Sequence, residues 1–160
     1  MGVTHDSVSR QCTNRQNQTI VMLTDQERVD IVRYRMECAE KTLGEIENLF
    51  ALKYYNNAAN RMYYACYYAV SALLVANGIT TKSHEGVIQM FGLHFIRTGV
   101  FPAYFGRNYS QLFNERLTGD YEDLFNHDEV STAELYPKAK EIVAGVKEKV
   151  EQWLAENAGK

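Results

Sequence analysis

Several charged and titratable side chains lie in segments that are otherwise apolar, and they are the first candidates for chemistry. Arg61 directly precedes a tyrosine-rich run, where a guanidinium must reach water or find an acceptor. Arg116 and Asp120 are four residues apart, so on a helix they share a face and can pair. The pattern indicates either structural ion pairs or the polar walls of a binding cleft. The candidate set is Arg61, Tyr64, Lys82, His84, Arg116, Asp120 and Tyr121.

Metal, phosphate-loop and nucleophilic chemistry have no signature in the sequence. The four histidines form neither an HExxH motif nor a pair at i, i+4, and the chain has no Cys/His cluster. No glycine-rich phosphate loop is present. Cys66 and Ser71 lie within an apolar helical pattern, where a thiol or hydroxyl is usually a small packing residue. We therefore expect neither a metal site nor a cofactor.

Apolar residues that recur every three or four positions predict the elements that must position these side chains. They indicate an all-α fold, an antiparallel up-and-down bundle of four to five helices. The run from Asn60 to Leu74 contains no Gly or Pro and is apolar around most of its circumference. We predict that it is the central helix, entered at Asn56 and Asn57 and ending near Gly78.

Capping residues predict the first and third helices. A capping box at residues 24–27 predicts a first helix over 25–51, in which Gly44 is a tolerated interruption. Ser83 is the predicted N-cap of the third helix.

Breaking residues and a further cap place the last two helices. Pro102 and Gly106 predict an ordered loop over 100–108, after which a fourth helix begins. A second capping box at 131–134 predicts the start of a last helix that runs to about residue 157.

Length and composition are those of an ordinary globular chain. With 160 residues, 46% apolar, and a net charge of -3, a single domain over 22–160 is expected. Residues 1–21 are polar and lack periodicity, which predicts a disordered or loosely attached arm. The negative net charge argues against a strongly basic surface that coats nucleic acid, but it permits a local basic patch. Three cysteines without CxxC spacing, no secretory signal and no membrane-spanning run predict a cytoplasmic protein.

Taken together, the polar residues and their neighbours resemble the HEPN (higher eukaryote and prokaryote nucleotide-binding) superfamily. The resemblance covers about residues 25 to 155. The chain is most similar to the small stand-alone prokaryotic branch, whose fourth helix carries Arg-x-x-Ala/Gly-Asp-Tyr. The segments that carry it are 60–65, 82–87 and 116–121.

The resemblance implies a compact helical bundle, a homodimer, and a minimal nucleotidyltransferase as partner in a toxin–antitoxin or defence pair. Active members of the family are metal-independent ribonucleases, with an arginine, four to six intervening residues and then a histidine. That arginine corresponds to Arg116, but the positions that should hold the histidine are Tyr121, Glu122 and Asp123. Tyrosine titrates far above neutral pH, so it replaces histidine poorly as an acid or base.

Three hypotheses follow. The favoured one is a HEPN-domain protein without the standard ribonuclease activity, which dimerises through the helix bearing Arg116 and binds a nucleotide, RNA or a nucleotidyltransferase in the resulting cleft. The first alternative is a ribonuclease with a variant site, in which Arg116 binds phosphate and Tyr121, His84 or His127 acts as acid or base. The second is a purely structural partner domain, with Arg116 paired to Asp120 and Arg61 at the surface.

Overall fold

The computed structural model describes residues 22–121 and 127–159, and the side chains of residues 117–121 are not among those described. The predicted arm, residues 1–21, lies outside these ranges. The helices are α1 (Asp25–Gly44), α2 (Ile46–Ala51), α3 (Tyr55–Ala76), α4 (His84–Phe91), a π-helical turn (Gly92–Ile96), α5 (Ala103–Tyr121) and α6 (Glu129–Asn157). The described ranges contain no strand, and the all-α bundle is confirmed. Among these helices, none is both long and apolar enough to cross a bilayer.

Helix α3 is the centre of the bundle, because it packs against all five of the other α-helices. Much of its buried surface consists of alanines, which allow neighbouring helices to approach closely. Tyr63 and Met62 are fully buried on this helix. One face remains half-exposed: Tyr64, Tyr67 and Tyr68 pack against the core but are not enclosed by it. We refer to these three residues as the tyrosine face.

The first predicted helix is divided in two. The capping box is confirmed, since the Thr24 side chain accepts from the Glu27 amide and the Glu27 carboxylate accepts from the Thr24 amide. The single helix over 25–51 is wrong, because α1 ends at Gly44. The Glu45 amide donates to the Thr42 carbonyl at 3.2 Å, three residues back, so the helix tightens there. Helix α2 begins after this turn, at Ile46.

Helix α5 begins earlier than the sequence predicted. The expected loop over 100–108 is wrong, since Ala103 is already helical. Pro102 directly precedes the first turn, where the missing amide proton costs nothing. Phe101 and Phe105 are buried and stacked, with ring centroids 5.2 Å apart. Their burial against α6 secures the start of α5.

The cap of α6 is also different from the one predicted. Instead of a box at 131–134, Asp128 caps the helix: the Ser131 amide donates to its carboxylate at 2.8 Å, and the Ser131 hydroxyl accepts from the Asp128 amide. Both boxes satisfy spacing rules, and the structure uses the one whose acceptor is a carboxylate near the positive end of the helix dipole.

This cap predicts an acid-sensitive contribution to stability. The hydrogen bonds from Ser131 hold the pKa of Asp128 below its usual range. A carboxyl with a depressed folded-state pKa adds stability above its unfolded pKa, and loses it as the pH falls through the folded pKa. Asn caps helices about as well as Asp and does not titrate. Thermal midpoints from about pH 7 to pH 2.5 should therefore fall less steeply for Asp128→Asn than for the wild type; parallel curves would contradict this.

Candidate functional site

Arg116 extends from α5 onto the aromatic rings of the central helix. Its Nη1 donates to the Tyr64 hydroxyl at 3.0 Å. The guanidinium carbon lies 5.1 Å from the centroid of the Tyr63 ring and 5.6 Å from that of Phe113. Such contacts stabilise a cation at ring faces. The buried Nε has no hydrogen-bond partner among the described residues, and within that part of the chain the charge is held mainly by aromatic contacts.

His84 contacts two of the same rings, those of Tyr63 and Tyr64, from α4. Ser83 caps α4 by accepting from the Gly86 amide at 3.0 Å, and this cap confirms the prediction and places His84 in the first turn. The His84 Nδ1 lies 2.6 Å from the Tyr63 hydroxyl oxygen. Its ring stacks on that of Tyr67 with centroids 4.5 Å apart. A histidine on a short surface helix is therefore anchored at the central helix.

The imidazole is held in its neutral form near pH 7. Burial lowers the pKa of His84, and the positive charge of Arg116 lowers it further, against a smaller opposing effect of Glu85. Burial raises the pKa of the Tyr63 hydroxyl well above its usual range. Both groups are therefore uncharged at physiological pH, and the charge of the cluster is that of Arg116.

We define the aromatic-arginine cluster as Arg116, His84, Tyr63, Tyr64 and Tyr67. Three of its rings, those of His84, Tyr64 and Tyr67, are half-exposed. A guanidinium binds phosphate oxygens through its forked N–H groups, and exposed aromatic faces stack on nucleobases. The cluster therefore combines the two kinds of contact that a nucleotide requires.

Three predicted site residues converge in this cluster, and one does not reach it. His84, Arg116 and Tyr64 come together from three helices. Arg61 instead turns to the junction of α1 and α2, where its Nε donates to a Glu45 carboxylate oxygen at 2.9 Å and its Nη2 lies 3.4 Å from the Thr42 hydroxyl. This interaction ties the α1–α2 break to the central helix. The role of Arg61 in ligand binding stays a prediction.

The other predicted residues have different settings. Lys82 is exposed in the segment before α4. The side chains of Asp120 and Tyr121, and with them the predicted Arg116–Asp120 pair, lie outside the described side chains. His127 is nearly buried: its Nε2 donates to the Glu115 carbonyl at 2.9 Å, and its amide donates to the Asn56 side chain at 2.8 Å. His127 thus joins the start of α6 to α5 and α3.

Tyr63 and Tyr67 belong to the cluster but are not among the candidate residues that the sequence indicated. The signal that could have singled them out is their residue type. A buried tyrosine brings a hydroxyl that needs a partner, unlike the leucine or phenylalanine that packing alone would accept. The position of that partner, on a helix twenty-one residues along the chain from Tyr63, is not encoded by local periodicity.

An apolar groove of about 750 Å³ lies beside the cluster. It runs between α4, the π-helical turn and α5, and shares Tyr109 with the ring stack but contains neither Arg116 nor His84. Its lining is mostly apolar, so the cluster is the better candidate for chemistry. Within residues 22–121 and 127–159, no group of three or more His, Cys, Asp or Glu side chains is arranged to hold a metal ion.

Comparisons with known proteins give consistent matches. A family model described as HEPN domain matches residues 32–149, which include the whole cluster. A Thermotoga maritima protein named "UPF0332 protein" is 32% identical over 125 residues, 78% of this chain and 95% of that protein. Two Methanocaldococcus jannaschii proteins, each named "Putative toxin", are 38% identical over 86 and 87 residues; both alignments cover 54% of this chain, and 64% and 59% of those proteins.

Proposed function

The chain belongs to the HEPN domain family, and from this premise we propose that it binds single-stranded RNA or a nucleotide at the aromatic-arginine cluster. One observation carries the proposal: a guanidinium and a neutral imidazole, from different helices, meet on the same tyrosines of the central helix at a half-exposed surface. Phosphate contacts would come from Arg116 and base contacts from the rings.

The fixed charge favours a phosphate ligand. Nη1 of Arg116 is oriented by Tyr64, and a guanidinium carries further N–H groups that could meet a ligand oxygen. Arginine suits this role because its planar fork matches two phosphate oxygens at once. The contacts with Tyr63 and Phe113 hold the side chain in place before a ligand arrives.

The half-exposed rings favour a base over a simple anion. Tyr64 and Tyr67 meet nearly edge to face, with centroids 6.1 Å apart and planes at 79°. Neighbouring rings at different angles offer separate surfaces to successive bases, as in sequence-tolerant single-strand binding. An acidic peptide would use the arginine but not the rings, and so it is the poorer match.

A direct test is binding of a fluorescent single-stranded RNA oligonucleotide in EDTA, followed by anisotropy at several salt concentrations. We expect measurable affinity that weakens as salt rises, because phosphate contacts release counterions. Inorganic polyphosphate of similar charge is the control and should bind less tightly, since it has no bases to stack. If RNA shows no binding, or polyphosphate matches it, the proposal fails.

The same cluster also supports a second function, metal-independent RNA cleavage. The family's arginine-to-histidine spacing is absent along the chain, but the fold brings His84 to the rings that hold Arg116. Proton transfer by a positioned histidine contributes about 10²- to 10⁴-fold to a rate. If wild-type protein cleaves RNA in EDTA, His84→Gln should reduce cleavage on that scale, whereas His94→Gln, at an exposed position, should not. Full activity of His84→Gln would exclude this role.

The biological setting is the third part of the proposal. The resemblance implies a homodimer and a minimal nucleotidyltransferase partner, and the relatives named as toxins support a toxin–antitoxin pair. Sedimentation should report a dimer at high micromolar concentration, and a monomer there would rule out a cleft shared between two copies.

A further inference from the structure

Tyr63 connects the buried ring stack to the half-exposed imidazole. It is fully buried on α3, and its ring lies parallel to that of Tyr109 at a centroid distance of 6.0 Å. Its hydroxyl approaches His84 Nδ1 at 2.6 Å, from the core side of the imidazole. No hydrogen bond to His84 Nε2 is found within the described part of the chain, so Nε2 is the nitrogen left for a ligand.

The direction of this hydrogen bond decides what His84 offers. A neutral imidazole has one nitrogen that donates and one that accepts, and a partner at one nitrogen determines the state of the other. If the phenol donates to Nδ1, the imidazole proton is on Nε2. If the phenol accepts from Nδ1, then Nε2 presents a lone pair.

The surroundings favour the phenol as donor. The Tyr109 hydroxyl is buried and makes no hydrogen bond of normal geometry among the described residues. Within that part of the chain, His84 Nδ1 is the one hydrogen-bond partner found for the Tyr63 hydroxyl. If the phenol accepted from Nδ1 instead, its own buried proton would have no acceptor among the described residues, so the phenol is the better donor. A buried hydroxyl proton without an acceptor is rare.

We propose that Tyr63 is a positioning residue that holds His84 as the Nε2–H tautomer, so that His84 donates a hydrogen bond to a phosphate bound at Arg116. The part concerning the ligand rests on the proposed function, and the tautomer does not. In this arrangement His84 is a neutral hydrogen-bond donor that orients a phosphate oxygen through its Nε2–H group. The charged and titratable groups around it are Arg116, Glu85, Tyr63, Tyr64 and Tyr67.

The test is an imidazole ¹H–¹⁵N correlation spectrum of the full chain near pH 7.5, with His84 assigned from the His84→Gln variant. We expect the wild type to show a single Nε2–H tautomer, and Tyr63→Phe to show a mixture. Tyr67→Phe is the matched control, because it removes a hydroxyl from a ring that stacks on the same imidazole, and it should keep the wild-type pattern. An Nδ1–H tautomer in the wild type, or an unchanged spectrum in Tyr63→Phe, overturns the proposal.

RNA affinity tests the part of the proposal that concerns the ligand. Tyr63→Phe should weaken RNA binding by roughly 2- to 10-fold, the range for one lost hydrogen bond, while Tyr136→Phe, which removes a hydroxyl outside the cluster, should leave it unchanged. A changed tautomer with unchanged affinity would contradict donation by His84 to the ligand. If the wild type shows the Nε2–H tautomer but binds no RNA, the proposed function fails while the role of Tyr63 stands.

Discussion

Replacing Arg116 with alanine is expected to weaken RNA binding by about 10- to 100-fold, the range for a lost charge-assisted phosphate contact. The reason is that Arg116 supplies the only charge of the aromatic-arginine cluster at neutral pH. Lysine retains the charge but not the planar fork, so Arg116→Lys should fall between alanine and the wild type.

Arg107→Ala is the matched control. Arg107 is on the same helix nine residues earlier, about half a turn around α5 from Arg116, and its exposed side chain lines the apolar groove and not the cluster. The two alanine variants change net charge equally, so a general electrostatic effect would weaken both. Anisotropy at constant salt, with thermal denaturation in parallel, separates the cases. Unchanged RNA affinity together with lower stability of Arg116→Ala would favour the purely structural role.

Gly145→Ala should destabilise the fold by about 1–3 kcal/mol, the usual range for overpacking a core. Gly145 is on α6, and a Cβ built there would lie 2.8 Å from Phe105 Cε2 and 3.0 Å from Cζ. The Phe105 ring has little room to yield, because it stacks on Phe101 at 5.2 Å. The added methyl group would therefore push apart α5 and α6 where α5 begins.

Gly44→Ala is the same chemical change, and it is expected to have the opposite effect on stability. A Cβ at Gly44 would meet nothing within 4 Å. Because alanine is the better helix former, this variant should gain up to about 1 kcal/mol. Urea unfolding of both variants measures the difference, and the Gly145→Ala effect should also appear as a lower thermal midpoint. A Gly145→Ala protein as stable as the wild type would show that Phe105 is not tightly held.

The helix boundaries show which structural features local sequence patterns can predict. Thr24, Ser83 and Gly78 were identified correctly, because caps and left-handed stops depend on residues within one turn. The start of α6 was misplaced because two capping boxes satisfy the same spacing rule. The α1–α2 break was missed because a glycine is compatible with either a continuous or a divided helix.

The candidate site shows which contacts such local patterns do not predict. His84, Arg116 and Tyr64 were singled out by residue type and family resemblance, and the structure brings them together. Arg61 was singled out on the same grounds, yet its guanidinium donates to Glu45 at the α1–α2 break. Nothing within one turn of Arg61 predicts that acceptor, since it depends on how two helices pack.

The amino-acid sequence by itself determined the all-α class and the central helix, because burial on a helix face repeats every three or four residues along the chain. The family was indicated by the resemblance of segments 60–65, 82–87 and 116–121. Only the tertiary structure decided that Tyr63 bonds His84 and that Arg116 lies over the same rings. Those contacts join α3 to α4 and α5 across many residues of sequence. Their existence depends on helix packing geometry, in which a small rotation exchanges one partner for another.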